Sequence, residues 1–300
     1  MTTTFSAIDL SQLPPPNVVQ PLDYETILAE MIADMRARHP DFDANVESDP
    51  AYKILEVAAA RELNIRQRVN DGARAIMLAY ATGSDLDQLA ANKELTRFVL
   101  DPGNPNAIPP VPPTYESDAD LRRRVQLADE ALTTAGSRGS YVALTLNADA
   151  SVKDADAESP TPGEVTVYVL SRTGDGTADS GLIETVEAAL NDEDKRPMTD
   201  NVTVLSATIT TYAIEAVLTI YPGPDAMVVQ ANAIAAAQAY ADSIHKLGYD
   251  IKLSAVYAAL HQPGVQSVDL VQPAADVAID TGEAAYCTAF DITVEGEAGV

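Results

Sequence analysis

The chain has 300 residues, of which 46% are hydrophobic, so it can bury real cores in one large domain or in two to three smaller ones. Its 45 Asp and Glu outnumber its 19 Lys and Arg, and the resulting formal charge of -26 repels phosphate backbones and anionic lipids, which argues against nucleic acid and membranes as partners. Its single cysteine, Cys287, excludes an intrachain disulfide framework and a cysteine-rich metal site, and neither a signal peptide nor a membrane span is expected.

The first third of the chain is predicted to be helical. Asp23 can cap a helix from Tyr24 to about Arg38, which His39-Pro40 ends. A short third helix is predicted to start at Ser84.

The second helix carries the strongest signals of the three. Asp49 can cap it, Pro50 suits its first position, and it is predicted to run to about Tyr80 before Gly83 stops it. Its apolar positions recur at helical spacing: Ile54, Ala58, Ile65, Val69, Ile76 and Tyr80. A helix this long usually needs more cover than two neighbouring helices supply. The pattern therefore leaves two interpretations open: an intramolecular helical bundle, or a bundle with helices of other chains in which these six side chains form the predicted contact.

A proline-rich segment follows the helices. Residues 101–113 contain six prolines and one glycine, a composition that favours extended, semi-rigid backbone without a core. We therefore predict a helical region over residues 1–98 and a linker over residues 99–116.

The remainder alternates between helix and strand patterns. A capping box starts a helix at Ser117, and later strand patterns cover 163–170, 201–209, 213–221 and 265–271, with helices over 181–190, 225–247 and 254–262. Residues 140–157 also resemble residues 254–271 in sequence. The predicted fold class is α+β, with two small α/β domains at 117–209 and 210–300, each a short sheet backed by helices.

The sequence offers little for catalysis or metal binding. His39, His245 and His261 form no ligand pair and lie at or near predicted helix ends, where a protonated imidazole interacts favourably with the helix dipole. The loop at 174–179 lacks the full ligand pattern of a calcium site and reads as a tight turn. No catalytic residue, cofactor or metal site is predicted.

Blocks along the whole chain resemble one family. They include Ile8–Pro14, Leu22–Glu30, Arg66–Asn70, Ala73–Leu78 and Gly83–Asp87 near the start. The later blocks are Val169–Arg172, Arg196-Pro197, Tyr221–Pro224, Leu247-Gly248, Asp250–His261, Gly264-Val265 and Tyr286–Thr288. In this order they resemble the baseplate assembly protein J family of contractile-tailed phages. The departures lie in the proline-rich segment and at the extreme C-terminus.

The resemblance implies a structural role in the virion, in a tail baseplate assembled in the host cytoplasm. It implies a wedge of two copies of the chain with one copy of the family's protein I, and six wedges around the central spike hub, close to the sheath. The N-terminal helices would then join a bundle of three chains, the C-terminal domains would contact neighbouring copies, and rearrangement of the wedges would release sheath contraction.

Two alternatives come from other classes. A soluble α/β protein could use its two small sheets as a paired pocket for a ligand or regulator, and an enzyme adapted to high salt could carry an unrecognised site. Either would form a small defined oligomer by itself, whereas a baseplate subunit would purify with sheath and spike proteins.

Overall fold

The computed structural model describes residues 8, 10, 13–14, 22–42, 48–133, 135–193, 195–223 and 225–297, and it confirms an α+β fold. Contacts divide the chain into two compact units. The helical unit comprises Ile8–Arg97 and Ser117–Val125, and the α/β unit comprises Phe98–Glu116 and Gln126–Val300.

The described residues of the helical unit form four helices: α1 (Tyr24–Arg38), α2 (Pro50–Ala75), α3 (Gly83–Ala91) and the first turns of α4 (Asp118–Leu127). The predicted caps form, since the carboxylates of Asp23 and Asp49 accept the backbone N–H groups of Glu25 and Ala51. These bonds satisfy N–H groups that the first helical turn leaves without an intrahelical partner.

Helix α2 ends earlier than its apolar pattern predicts. The predicted end at Tyr80 is wrong, because the helix stops at Ala75 and the chain turns through the next residues, where the Ala81 N–H donates to the Met77 carbonyl. The guanidinium of Arg122 on α4 donates to the carbonyls of Leu78 and Ala81 at 2.7 and 2.6 Å. Arg122 lies on a helix that is distant in sequence, so the residue pattern of α2 does not reveal this contact.

The proline-rich segment folds back on itself as a hairpin. Strand β1 (Val99–Asp101) pairs antiparallel with β2 (Thr114–Tyr115), and a further bridge joins Asn104 to Val111. Gly103 adopts a φ of +67°, and a side chain there would lie 2.4 Å from the Val111 carbonyl oxygen. The backbone is extended, as predicted. Because Gly103 has no side chain, it allows this close approach, and the two arms of the hairpin pair with each other.

The middle domain consists of α5 (Arg138–Ala148), β3 (Val152–Thr161), β4 (Glu164–Ser171), α6 (Ser180–Leu190) and β5 (Asn201–Ser206). Its sheet has the order β3-β4-β5, with β3 antiparallel and β5 parallel to β4. Val142 of α5, Val167 of β4 and Val186 of α6 are fully buried in one cluster, so helices and sheet share a single core.

The C-terminal domain consists of β6 (Thr208–Ile220), α7 (Ala226–Ile244), α8 (Leu253–Leu260), β7 (Val265–Gln272) and β8 (Glu283–Glu297). Its sheet has the order β7-β6-β8, again with one antiparallel and one parallel neighbour of the central strand. The predicted likeness of residues 140–157 to 254–271 corresponds to α5-β3 and α8-β7, a helix followed by an edge strand in each domain. Strand β8 was not predicted.

The middle and C-terminal domains meet in a small apolar cluster of their own. Leu170 and Ala207 from the middle domain side pack with Leu247 and Ala284 of the C-terminal domain, and all four are buried. A side chain at Gly282 would lie 2.6 Å from the ring of Tyr168, so the backbone there packs directly on that ring. Only Ala207 separates β5 from β6, which keeps the connection short.

Candidate assembly surface on the long helix

One side of α2 is covered by α1. Ala59 on α2 is buried in a cluster with Ile27 and Leu28 of α1, and Leu55 and Leu63 pack against that cluster. At 3.6 residues per turn these three α2 positions lie within about 90° of one another on one side of the helix. The apolar residues on this side of α2 are therefore covered by another helix of the same chain.

The opposite side of α2 carries large apolar side chains that nothing in the described chain covers. Ile54 is 69% exposed, Ile65 60%, Val69 61% and Val57 57%. All four point within about 60° of the Ile54 direction, away from α1. Ile76, just past the helix end, is 74% exposed. Such an apolar stripe on a helix is typical of a protein contact.

The six residues predicted for this contact do not share one environment. Ile54, Ile65, Val69 and Ile76 are exposed, whereas Ala58 and Tyr80 are half-buried. Tyr80 lies beyond the helix, and its hydroxyl donates to the Leu13 carbonyl at 2.9 Å, so it braces the helical unit itself. Val57 belongs to the exposed face and was missed, although its spacing from Ile54 could have identified it. The role of the six predicted residues in contacts with other chains stays a prediction.

Two arginines lie on the same face as the apolar stripe. Arg61 and Arg68 are exposed, and helical spacing puts both within about 40° of the Ile54 direction. In the described part of the chain neither makes an ion pair, whereas Arg66, on another side of α2, contacts Glu62 and Glu30. The stripe is therefore apolar with positive charge, on a protein whose net charge is -26.

Gly72 lies in line with Ile54 on this face. It falls inside α2, where glycine costs roughly 1 kcal/mol relative to alanine, and a side chain there would meet no atom within 4 Å. The fold of the chain itself therefore gives no reason for the missing side chain. A helix of another chain that packs close to the α2 backbone would explain why this position is glycine.

The predicted histidine positions are confirmed as helix ends. His39, His245 and His261 each follow a helix and donate their backbone N–H into its last turn. His39 and His261 are exposed. His245 is buried, and burial lowers its pKa below the usual value. The helix dipole, which favours a protonated imidazole, therefore does not decide the protonation state of this residue. The described residues contain no group of three acidic, histidine or cysteine side chains arranged to hold a metal ion.

The positive charges of the C-terminal domain are already engaged. Lys252 contacts the carboxylates of Asp250 and Asp276 at 3.0 and 3.4 Å, and Lys246 lies 5.6 Å from the ring centroid of Tyr249. These two lysines are the only basic residues, histidine aside, after residue 206, where eleven carboxylates occur. Both lysines of this domain therefore already have a partner within it.

Among the described helices, none is long and apolar enough to cross a lipid bilayer.

Three family models match in succession along the chain. The Baseplate J-like N-terminal domain matches residues 47–104, the central domain residues 133–206 and the C-terminal domain residues 212–294. The chain is also similar to baseplate protein J of Escherichia phage P2, with 46% identity over 296 residues, which is 96% of this chain and 98% of that protein. The first match contains α2 with the whole of its exposed stripe.

Proposed function

Since the chain belongs to the Baseplate J family, we propose that it is a wedge subunit that joins other baseplate chains through the exposed face of α2. It is a structural protein of a phage tail baseplate, located in the virion, and not an enzyme. Within the baseplate, two copies of the chain and one protein I-like partner form each wedge. Six wedges ring the central spike hub and contact the baseplate proteins next to the sheath.

The observation that carries this proposal is the division of α2 into a covered and an uncovered apolar side. Ile54, Ile65 and Val69 remain more than half exposed although α1 already covers the opposite face. Burying a side chain of this size is worth roughly 1.5–3 kcal/mol, so a bundle that covers the stripe gains several times that amount. The helices of the second copy and of the partner supply the cover.

The charges on the stripe indicate what the bundle partner presents. Arg61 and Arg68 would be desolvated in a closed bundle, and a buried unpaired charge is strongly unfavourable. The helix that packs on this face therefore carries carboxylates opposite these two positions. Acidic residues abound in a second copy of this chain, so the copy itself can provide them.

The C-terminal domains contact neighbouring copies and close the ring. Because Lys246 and Lys252 are engaged within the domain, this contact is built from apolar and backbone groups, with carboxylates at its edge. In this scheme the ring holds the sheath extended, and rearrangement of the wedges on host attachment releases contraction.

Co-expression of the chain with its protein I-like partner tests the proposal. Native mass spectrometry of the purified complex is expected to give two copies of the chain for each copy of the partner. A complex of one copy each, or no complex, contradicts the wedge. Labelling of intact particles by an antibody against the chain is expected at the tail end distal to the capsid, and a label spread along the tail tube would contradict a baseplate position.

A further inference from the structure

His245 lies where the middle and C-terminal domains meet. It follows the last residue of α7, its backbone N–H donates to the Ala241 carbonyl at 3.0 Å, and only 8% of the residue is exposed. Its ring contacts the ring of Tyr286 edge to face, with the centroids 5.4 Å apart. Two residues further on, Leu247 is part of the apolar cluster between the two domains.

The middle domain supplies the other wall of this site. The turn after β4 brings Gly176 against the histidine, so that a side chain at residue 176 would lie 2.8 Å from Nε2 and 2.5 Å from a methyl group of Leu170. Gly176 has a φ of +100°, a conformation that strongly favours glycine. Within the described structure, Nε2 is buried and has no hydrogen-bond partner.

The charged groups around His245 come from three elements. Lys153 on β3 disfavours a proton on the ring, and burial disfavours it more strongly. The carboxylates of Asp175 in the turn and Asp242 on α7, together with a hydrogen-bonding contact to the Asp175 backbone, favour it. The balance lowers the pKa of His245, with burial as the largest cause.

We propose that His245 makes the contact between the middle and C-terminal domains sensitive to pH, holding it when neutral and loosening it when protonated. In an imidazolium both ring nitrogens carry hydrogen, so Nε2 is then a buried donor that has no acceptor in the described structure. A buried donor without a partner costs about 1–3 kcal/mol. The ring also becomes a cation near Lys153.

The sign of the effect follows from the direction of the shift. The open or unfolded chain, with an ordinary histidine pKa of about 6.5, takes up the proton at a higher pH than the closed structure does. The contribution of His245 is therefore fully present above about pH 6.5 and is lost as the pH falls from there through the lower pKa of the closed state.

Hydrogen exchange of the Leu247 amide in the full chain tests this, because that N–H is buried in the contact and donates to Asp154. After correction for the intrinsic exchange rate, protection in the unaltered protein is expected to be lower at pH 5.5 than at pH 7.5. The expected loss is up to about tenfold for each unit by which the His245 pKa lies below its unfolded value. Equal protection at the two pH values overturns the proposal.

The matched variants are His245→Phe and His261→Phe. The first keeps an aromatic ring against Tyr286 but cannot be protonated, so its Leu247 protection is expected not to change between the two pH values. The second removes an exposed histidine and is expected to behave as the unaltered chain does. A loss of protection in His245→Phe as large as in the unaltered chain would assign the effect to a titratable group other than His245 and overturn the proposal.

If His245→Phe does not fold, histidine proton NMR of the unaltered chain replaces it. The Leu247 amide shift is expected to titrate with the same midpoint as the His245 ring, and that midpoint is expected below the usual histidine value of about 6.5. A Leu247 midpoint that differs from that of His245 overturns the proposal equally.

Discussion

The carboxylate of Asp154 accepts a buried hydrogen bond from the backbone N–H of Leu247 at 2.9 Å, across 93 residues of sequence. Its other oxygen accepts the N–H of Ala155, the next residue on β3. Asp154 belongs to the middle domain and Leu247 to the C-terminal domain. One ionisable side chain thus satisfies a buried donor from the opposite domain, which fixes where the chain after α7 meets β3.

Replacing Asp154 with alanine is expected to destabilise the α/β unit by about 1–3 kcal/mol, since it leaves the Leu247 N–H buried without an acceptor. Urea unfolding followed by circular dichroism measures the loss. Asp269→Ala is the matched control, because Asp269 lies exposed on strand β7, and it is expected to change the free energy of unfolding by less than about 0.5 kcal/mol. Similar losses for both variants would contradict the role of Asp154.

Replacing Ile65 and Val69 together with aspartate is expected to abolish wedge formation with the partner chain and leave the α/β unit folded. Both side chains lie on the uncovered side of α2, and burying two carboxylates there costs more than the bundle can recover. Size-exclusion chromatography of the co-expressed chains gives the readout. The control Leu132→Asp with Met198→Asp changes two other exposed apolar residues outside α2 and is expected to assemble normally. Normal assembly of the α2 variant would remove this face from the bundle.

Two substitutions of Gly72 are expected to separate its effect on the fold from its effect on assembly. Gly72→Ala is expected to stabilise the isolated chain by about 0.5–1 kcal/mol, because the position is helical and open. Gly72→Leu is expected to leave the isolated chain folded and to weaken wedge formation, since the larger side chain would keep the partner helix away. Thermal unfolding and wedge yield are the two measurements. Full assembly of Gly72→Leu would show that no backbone approaches there.

Replacing Arg122 with alanine is expected to destabilise the corner between α2 and α3. The Leu78 and Ala81 carbonyls lose their shared donor, and leaving such groups unpaired costs about 1–3 kcal/mol. Faster hydrogen exchange over residues 77–86 would report it. Arg122→Lys is the informative companion, because one ammonium group lacks the forked geometry that reaches both carbonyls, and it is expected to recover only part of the loss.

Self-association through the C-terminal domain is expected to strengthen as salt rises from about 0.01 to 0.15 M, where the screening length falls from about 30 to 8 Å. Uncompensated carboxylates on neighbouring copies repel one another, and screening removes that repulsion. Sedimentation velocity of the chain carrying the two α2 aspartates isolates this contact from the bundle. Association that is strongest at low salt would instead indicate ion pairs between copies.

Much of the local structure was determined by the sequence alone. Asp23 and Asp49 cap the helices that they were predicted to cap, because a cap is a bond between neighbours along the chain. The period of Ile54, Ile65 and Val69 likewise predicted an apolar side on α2, and the likeness of residues 140–157 to 254–271 corresponds to a helix followed by a strand in each domain.

Strand β8 and the true end of α2 were decided by tertiary contacts. Strand β8 is stable because it pairs along β6 from Thr208 onward, a partner that lies more than seventy residues away. Helix α2 stops before Tyr80 because Arg122 binds the carbonyls of the following turn. Neither cause is visible in the local residue pattern, which contains only one of the two partners.

His245 shows the same difference between local sequence effects and tertiary contacts at a single residue. Its position at the end of a helix is local, and sequence reasoning found it. Its burial against Gly176 and Tyr286 depends on two segments that are distant in the chain, and this burial lowers its pKa and reverses the preference that the helix end alone suggests. Sequence determines which bonds a residue can make with its neighbours, whereas desolvation and long-range pairing exist only after the chain has folded.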